Sequence, residues 1–324
     1  MTRLGYQIPN FTYPGGAGAD LFGSVVAQAK AAEAAGFDRV FVMDHFYQLP
    51  GLGAPGEPMF ECYSMLSALA QHTSTVRLSA LVTGNTYRHP TLLAKTITAL
   101  DHVSNGRATL GIGAGWFEFE HNSLGYEFGT FTDRFEKLEE SLQIVIPMLR
   151  GEPVTFVGKH YQVNDAVNSP APISRIPIMI GGSGEQKTLR MVAQYADESN
   201  LSSGSIDEIP RKLDVLAAHC ERLGRPRSEI SVTKLLMVCI APTMEEAMAD
   251  VRAVAGVKGW NEDIVQMVPQ MLIFGDPDTV GEQLQAAMET GIDGLTINLP
   301  ANGHNTDRIG LLGETALAAI AGAA

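Results

Sequence analysis

Residues 176–195, IPIMIGGSGEQKTLRMVAQY, contain one complete unit of the fold. Ile176–Ile180 is a short, nearly continuous apolar run, as expected of a strand buried on both faces. Gly181, Gly182 and Gly184 make a turn after it, and 185–195 follows with helical periodicity. A strand, a glycine turn and a helix in that order predict a parallel sheet, because parallel neighbours need a crossover helix.

The same unit recurs in both directions. Upstream, strands at 4–8, 39–43, 76–82 and 108–112 alternate with helices at 21–35, 63–72, 91–103 and 132–149. Gly36 ends the first helix and Pro90 opens the third, while Pro147 should finish or kink the fourth. Downstream, strands at 199–201, 230–240 and 294–299 alternate with helices at 209–223, 244–255, 276–289 and 306–320. Eight such units predict an α/β fold, a (β/α)8 TIM barrel with insertions, as a single domain over residues 1–324. The insertions fall at about 113–131, 150–176 and 257–275. Gly158, between two β-rich runs in 152–163, suggests a small hairpin, and 257–275 has room for a helix. Long insertions in compact domains are usually lids or binding loops.

The totals narrow the function. The chain has 324 residues, 45% hydrophobic and 18% charged, with 36 acidic against 23 basic residues and a formal charge of −13. No basic stripe is present, so nucleic acid and anionic membrane are poor partners. No stretch reaches the roughly 18 apolar residues of a membrane helix, and residues 1–11 lack the apolar run of a signal peptide. Cys62, Cys220 and Cys239 are odd in number and far apart, which predicts buried free thiols in a reducing, cytoplasmic compartment.

Barrel enzymes carry their chemistry at the C-terminal ends of the strands. After the second strand stands Asp44-His45, and after the third Thr83-Gly84-Asn85. After the fourth stands Gly113-Ala114-Gly115-Trp116, with Glu118 and Glu120-His121 beyond, and after the fifth Gly181-Gly182-Ser183-Gly184. Glycines at a strand-to-helix turn let a phosphate approach the backbone, and a helix starting near Glu185 would aim its free N–H groups and positive dipole end at that anion. Ser183 adds a hydroxyl, and Lys187, Arg190 and Arg175 are the nearby cations. His45 suits proton transfer or cofactor contact, with Asp44 placed to orient its ring or the surrounding backbone. Glu118 and Glu120, taken singly, read as solvated loop charges. Glu61 reads as a helix N-terminal charge and His89-Pro90 as a helix start. Trp116 walls a ring-shaped ligand or packs. No metal site is predicted, since no His-x-His or clustered His/Cys set occurs.

Taken together and in order, these segments resemble the luciferase-like monooxygenase superfamily, in particular its actinobacterial branch dependent on the deazaflavin coenzyme F420. The marks are Val42-Met43-Asp44-His45-Phe46, Leu81-Val82-Thr83, Tyr87-Arg88-His89-Pro90, Leu100-Asp101, Ser104-Asn105-Gly106-Arg107, Gly111 to Trp116 with Glu120, Gly181 to Gly184, and Ala193 to Asp197. The resemblance implies a homodimer that binds F420, or alternatively FMN, and acts on a small-molecule substrate by hydride transfer. It implies His45, with Asp44 beside it, near the reactive edge of the cofactor ring. Contacts from Thr83, Asn85, Ala114 and Gly115 are implied, with the phosphate near Gly182 to Glu185. A non-proline cis peptide supporting the ring is implied in the third strand, at Ala80–Leu81 by position.

Two places depart from the sugar-phosphate dehydrogenases of this branch. Leu49 stands near where they carry a tryptophan, and Trp116 stands where they carry a glutamate proton donor. Glu118 and Glu120 are the carboxylates left to substitute, and Glu120 joins Asp44 and His45 in the candidate catalytic set. The other readings are an FMN monooxygenase, a non-catalytic flavin- or deazaflavin-binding protein, and a metal-dependent barrel hydrolase. For the hydrolase only Asp44-His45 would fit among the strand ends.

Overall fold

In the computed structural model, which describes residues 4–15 and 20–323, the chain opens with strand β1 (Leu4–Ile8), helix α1 (Leu21–Ala34) and strand β2 (Arg39–Val42). Met1–Arg3, part of the amino-terminal stretch read above, lie outside the described residues. There follow α2 (Cys62–Ala70), β3 (Arg77–Ala80), β4 (Thr83–Gly84), α3 (Pro90–Val103), β5 (Leu110–Gly113), α4 (Glu118–Leu124) and α5 (Phe131–Leu149). The hairpin β6 (Val154–Val157) and β7 (Gln162–Ala166) precedes β8 (Ile178–Gly181), α6 (Thr188–Tyr195), β9 (Glu198–Leu201) and α7 (Ile209–Arg222). The chain ends with β10 (Ser231–Ile240), α8 (Met244–Lys258), α9 (Glu262–Met271), β11 (Ile273–Gly275), α10 (Pro277–Met288), β12 (Gly294–Asn298) and α11 (Thr306–Gly322).

The strands pair in the order β3-β2-β1-β12-β10-β9-β8-β5-β4, all parallel. A bridge between Leu78 and Ala108 joins β3 back to the β5 side and closes the barrel. The third predicted strand is two pieces, β3 and β4, which together form one stave, so the count of eight staves holds. The break lies at a cis peptide bond, Leu81–Val82. The expected placement at Ala80–Leu81 is therefore one residue early: Ala80 is still paired within β3, opposite Val42, so the ladder is interrupted only after it.

Apolar outward faces of the strands meet the helices in one continuous core. Inside the barrel the side chains are largely polar. Arg39 and Glu198 form a buried two-point ion pair at 2.6 and 2.9 Å. Asn200 donates to Thr233 and Thr296, and Asn298 donates to Gln7. The sequence insertions contain α4, the β6–β7 hairpin, and α9 with β11. Helix α5 runs past Pro147, which sits in its last turn. Helix α8 runs to Lys258 rather than Ala255, and ends at Gly259 in the left-handed conformation. Among the described residues no helix is long and apolar enough to cross a membrane, and all three cysteines are free and buried.

One clamp in this frame carries a pH signature. Glu33, at the end of α1, accepts hydrogen bonds from the amides of Ser74, Thr75 and Val76 and from the Thr75 hydroxyl. Partial burial opposes its ionisation, but these donors outweigh it and hold the carboxyl down at about 2. A carboxyl depressed in the folded state stabilises above its ordinary pKa, and that contribution is lost as pH falls towards the folded value. Replacing Glu33 with Gln should therefore lower stability at neutral pH by about 1 kcal/mol, after allowing for solvent screening. The difference from the parent should close between about pH 4.5 and 2 in acid-titrated urea unfolding. A pH-independent difference would refute the clamp.

Candidate active site

At the C-terminal end of β2 the chain turns inward at Asp44 and His45. Asp44 is buried and does not touch the His45 ring by hydrogen bond. Its carboxylate accepts two bonds from Arg88, at 2.7 and 3.0 Å, and one from the Gly84 amide at 3.0 Å. Arg88 also donates to Glu61 at 2.6 Å and lies over the Tyr63 ring. Of the two roles the sequence allowed Asp44, the structure shows only the second: it ties the β2 end to the backbone of β4. Burial pushes the Asp44 carboxyl up, opposed by Arg88 and the Gly84 amide. Arg88 is held protonated by the same pair.

The partner of His45 is Glu120, whose Oε2 lies 3.1 Å from Nδ1. Reading Glu120 as a solvated loop charge is wrong. It lies in α4, fully buried, and accepts from the amides of Phe46 and Tyr47 at 2.5 and 2.7 Å and from the Tyr87 hydroxyl. Burial works against its ionisation, but the bonds from His45, Tyr87 and Tyr47 prevail and keep the carboxyl below the usual range. An ionised carboxylate only accepts, so Nδ1 of His45 carries the proton and Nε2 is left as the acceptor of the ring. Glu118, its neighbour, stays exposed.

His121, next in α4, is also buried. Its Nδ1 donates to the Phe117 carbonyl at 2.8 Å, so its Nε2 accepts from the Thr86 hydroxyl at 2.6 Å. Burial pushes its pKa down, which suits this neutral, doubly bonded ring. Tyr87 stacks on it. His121 thus braces the helix that presents Glu120. Glu61 caps α2 by accepting from the Ser64 amide, and His89 caps α3, as their positions predicted.

Across the mouth, Thr83 bonds the Tyr63 hydroxyl, and the Asn85 amide donates to the Gly113 carbonyl at 3.0 Å. The Asn85 side-chain Nδ2 is buried and without a hydrogen-bond partner among the described residues. Ala114 and Gly115 line the rim half-exposed, Gly115 with φ of 83°. The Val82 side chain rests on Gly113 and Gly181, where an added Cβ would come within 2.8 and 2.7 Å of it. The Ala80 side chain is buried in the outer core with Leu78 and Ile112 and does not line the mouth, while the Leu81 carbonyl accepts from Gln7.

At the glycine turn, Gly182 has φ of 127°, which L side chains rarely adopt. Here the structure corrects the sequence in three ways. The helix starts at Thr188, not near Glu185, because residues 184–187 complete the turn first. The Ser183 hydroxyl donates to the Ser203 carbonyl at 3.1 Å and is not free. The three expected cations face elsewhere. Arg175 enters β8 from the opposite, N-terminal end and pairs with Asp197, Arg190 pairs with Glu139, and Lys187 lies over Phe131 and Phe135. Two cations of α7 do reach the turn, Arg211 and the mostly buried Lys212, whose Nζ lies 3.2 Å from the Ser183 carbonyl and 3.1 Å from Glu208. Glu185 is tied to Arg211 at 2.5 Å.

Sequence reading missed Arg88, Tyr87 and Lys212 as working residues. The first two lay inside the quoted Tyr87-Arg88-His89-Pro90 segment, a signal that was present but unassigned. Lys212 had none, being one lysine on a helix. A cavity of about 440 Å³ lined by Arg150, Arg175, Asp197 and Arg225 opens near the strand N-termini. That end of a barrel serves stability rather than catalysis.

The chain is 29% identical to an F420-dependent glucose-6-phosphate dehydrogenase of Nakamurella multipartita, over 97% of this chain and 95% of the relative. It is 24% identical to a 5,10-methylenetetrahydromethanopterin reductase of Archaeoglobus fulgidus, over 88% and 92%. Its fold superposes on an F420-dependent secondary alcohol dehydrogenase in complex with an F420-acetone adduct, with a TM-score of 0.79 at 19% identity, covering 98% and 99% of the two chains. Residues 2–294 match the family model of luciferase-like monooxygenases, and the chain belongs to that family.

Proposed function

We propose that the protein is an F420-dependent oxidoreductase acting by hydride transfer on a small organic substrate. The observation that carries this is the His45–Glu120 pair: a proton-accepting Nε2 at the barrel mouth, held by a buried carboxylate with four donors. The names of the curated relatives support the deazaflavin over FMN.

The residues present fit the cofactor. The buried, unpartnered Nδ2 of Asn85 offers a donor at the mouth, and glycines at 182 and 184 leave backbone bare where a Cβ would crowd Thr188. In this reading Gly181 to Glu185 hold the phosphate, with Lys212 supplying the nearby charge. Thr83, Asn85, Ala114 and Gly115 edge the ring, while Leu81 and Val82 support it from below. When bound, F420 supplies a ring carbon that gives or takes hydride. His45 then holds or releases the substrate proton at Nε2, Glu120 fixes its tautomer, and Asp44 with Arg88 holds the β2 end in place. Glu120 takes up the carboxylate role that Trp116 leaves open, but through His45 rather than by touching substrate. A cytoplasmic homodimer completes the reading; the free cysteines fit a reducing compartment.

The test is a fluorescence titration of the apo-protein with F420 and with FMN. F420 should bind with at least about tenfold higher affinity, a difference of about 1.4 kcal/mol. Preference for FMN would make the protein a flavin monooxygenase candidate and overturn the proposal, as would binding of neither.

A further inference from the structure

The surroundings of His45 differ in character from the rest of the mouth. Trp116, 60% exposed, sits with its ring centre 5.8 Å from that of His45. It stacks on Phe117 at 5.3 Å, and Phe117 leads to Phe119, itself 53% exposed, at 5.9 Å. Tyr47 meets Phe119 from the β2 side at 6.0 Å. Single exposed apolar side chains need no explanation, but a contiguous aromatic wall around one polar atom is how small-molecule sites are built.

Charge decides what that wall can take. A phosphate needs unengaged cations or amides when it leaves water. Arg88 is held by Asp44 and Glu61. Arg134 donates to the carbonyls of Gly115 and Gly129 and faces the Phe128 ring at 3.8 Å. Lys258 is buried on Glu57 and the Leu52 carbonyl. Each of these cations is already engaged, and Glu118 and Glu120 add negative charge beside Trp116.

We propose that the substrate is an uncharged alcohol or carbonyl compound with an apolar body, held by that body against Trp116 and Phe119 with its oxygen at Nε2 of His45, and not a phosphorylated sugar. This rests on the oxidoreductase reading above and narrows it.

The chain has two tryptophans. Trp260 lies in the α8–α9 insertion, packed against a separate small core, so Trp260→Phe leaves Trp116 as the sole reporter. The apo W260F protein is titrated with 1-phenylethanol and, separately, with glucose 6-phosphate, each with and without F420, following Trp116 emission. Saturable change with 1-phenylethanol and none with glucose 6-phosphate is expected. In the parent background, Trp116→Ala should raise KM for 1-phenylethanol about tenfold with little change in kcat, as for lost uniform binding. Saturation by glucose 6-phosphate, or by neither probe, overturns the substrate class. F420 binding by the same W260F protein, read from deazaflavin fluorescence, separates that failure from failure of the cofactor reading itself.

Discussion

Replacing His45 with Ala is expected to lower turnover about 10²- to 10⁴-fold, the usual worth of a positioned acid–base group, with F420 affinity little changed. The reason is geometric. Nδ1 is tied to Glu120 at 3.1 Å, so the ring has one orientation and one tautomer, and Nε2 is the atom left for the substrate. Glu120→Gln should reproduce part of the loss, because the amide also offers a donor to Nδ1 and no longer selects the tautomer. Full turnover by His45→Ala with cofactor bound would rule out the assignment. The double variant should be no worse than His45→Ala alone, since Glu120 acts through His45.

Replacing Arg88 with Met should have the largest effect on stability, about 3–5 kcal/mol, the range for stranding one member of a buried ion pair. Asp44 would keep only the Gly84 amide, and burial already pushes its carboxyl up. A raised folded-state pKa makes the ionised form the penalised one. The penalty grows as pH rises above the ordinary carboxylate range and vanishes below it. The gap between parent and Arg88→Met should therefore be widest at neutral pH and narrow in acid, the same direction as for Glu33→Gln but from a stranded carboxylate instead of a lost acceptor. Asp44→Asn in the Arg88→Met background should recover part of the loss at pH 7. Urea unfolding at two pH values checks this, and an unchanged midpoint at pH 7 would show that the pair does not hold the β2 end.

Much of this site was legible because its signals are local. Asp44-His45, Thr83 to Asn85, the Gly113–Gly115 run and Gly181 to Gly184 each end an apolar strand, and strand ends of a barrel converge. The errors share one cause. Glu120 looked solvated because nothing beside it in the chain is its partner: His45 is 75 residues away. Arg175 looked close to the glycine turn because it is close in sequence, yet the extended run 176–180 carries the chain about 17 Å between them. Lys212 reaches the turn only because α6 and α7 pack together on the barrel wall.

The sequence by itself determined the period of the structure and hence the barrel. Hydrophobic alternation, glycine stops and proline starts act over a few residues, and eight repeats of one unit have one compact closure. Tertiary structure alone decided which charges meet. Asp44 chose Arg88 over His45, His45 chose Glu120, and the third stave broke at Leu81–Val82 rather than one residue earlier. Those choices depend on where helices and loops cross the barrel rim, and on burial strong enough to make an unpaired carboxylate costly, quantities that exist only once the chain has closed.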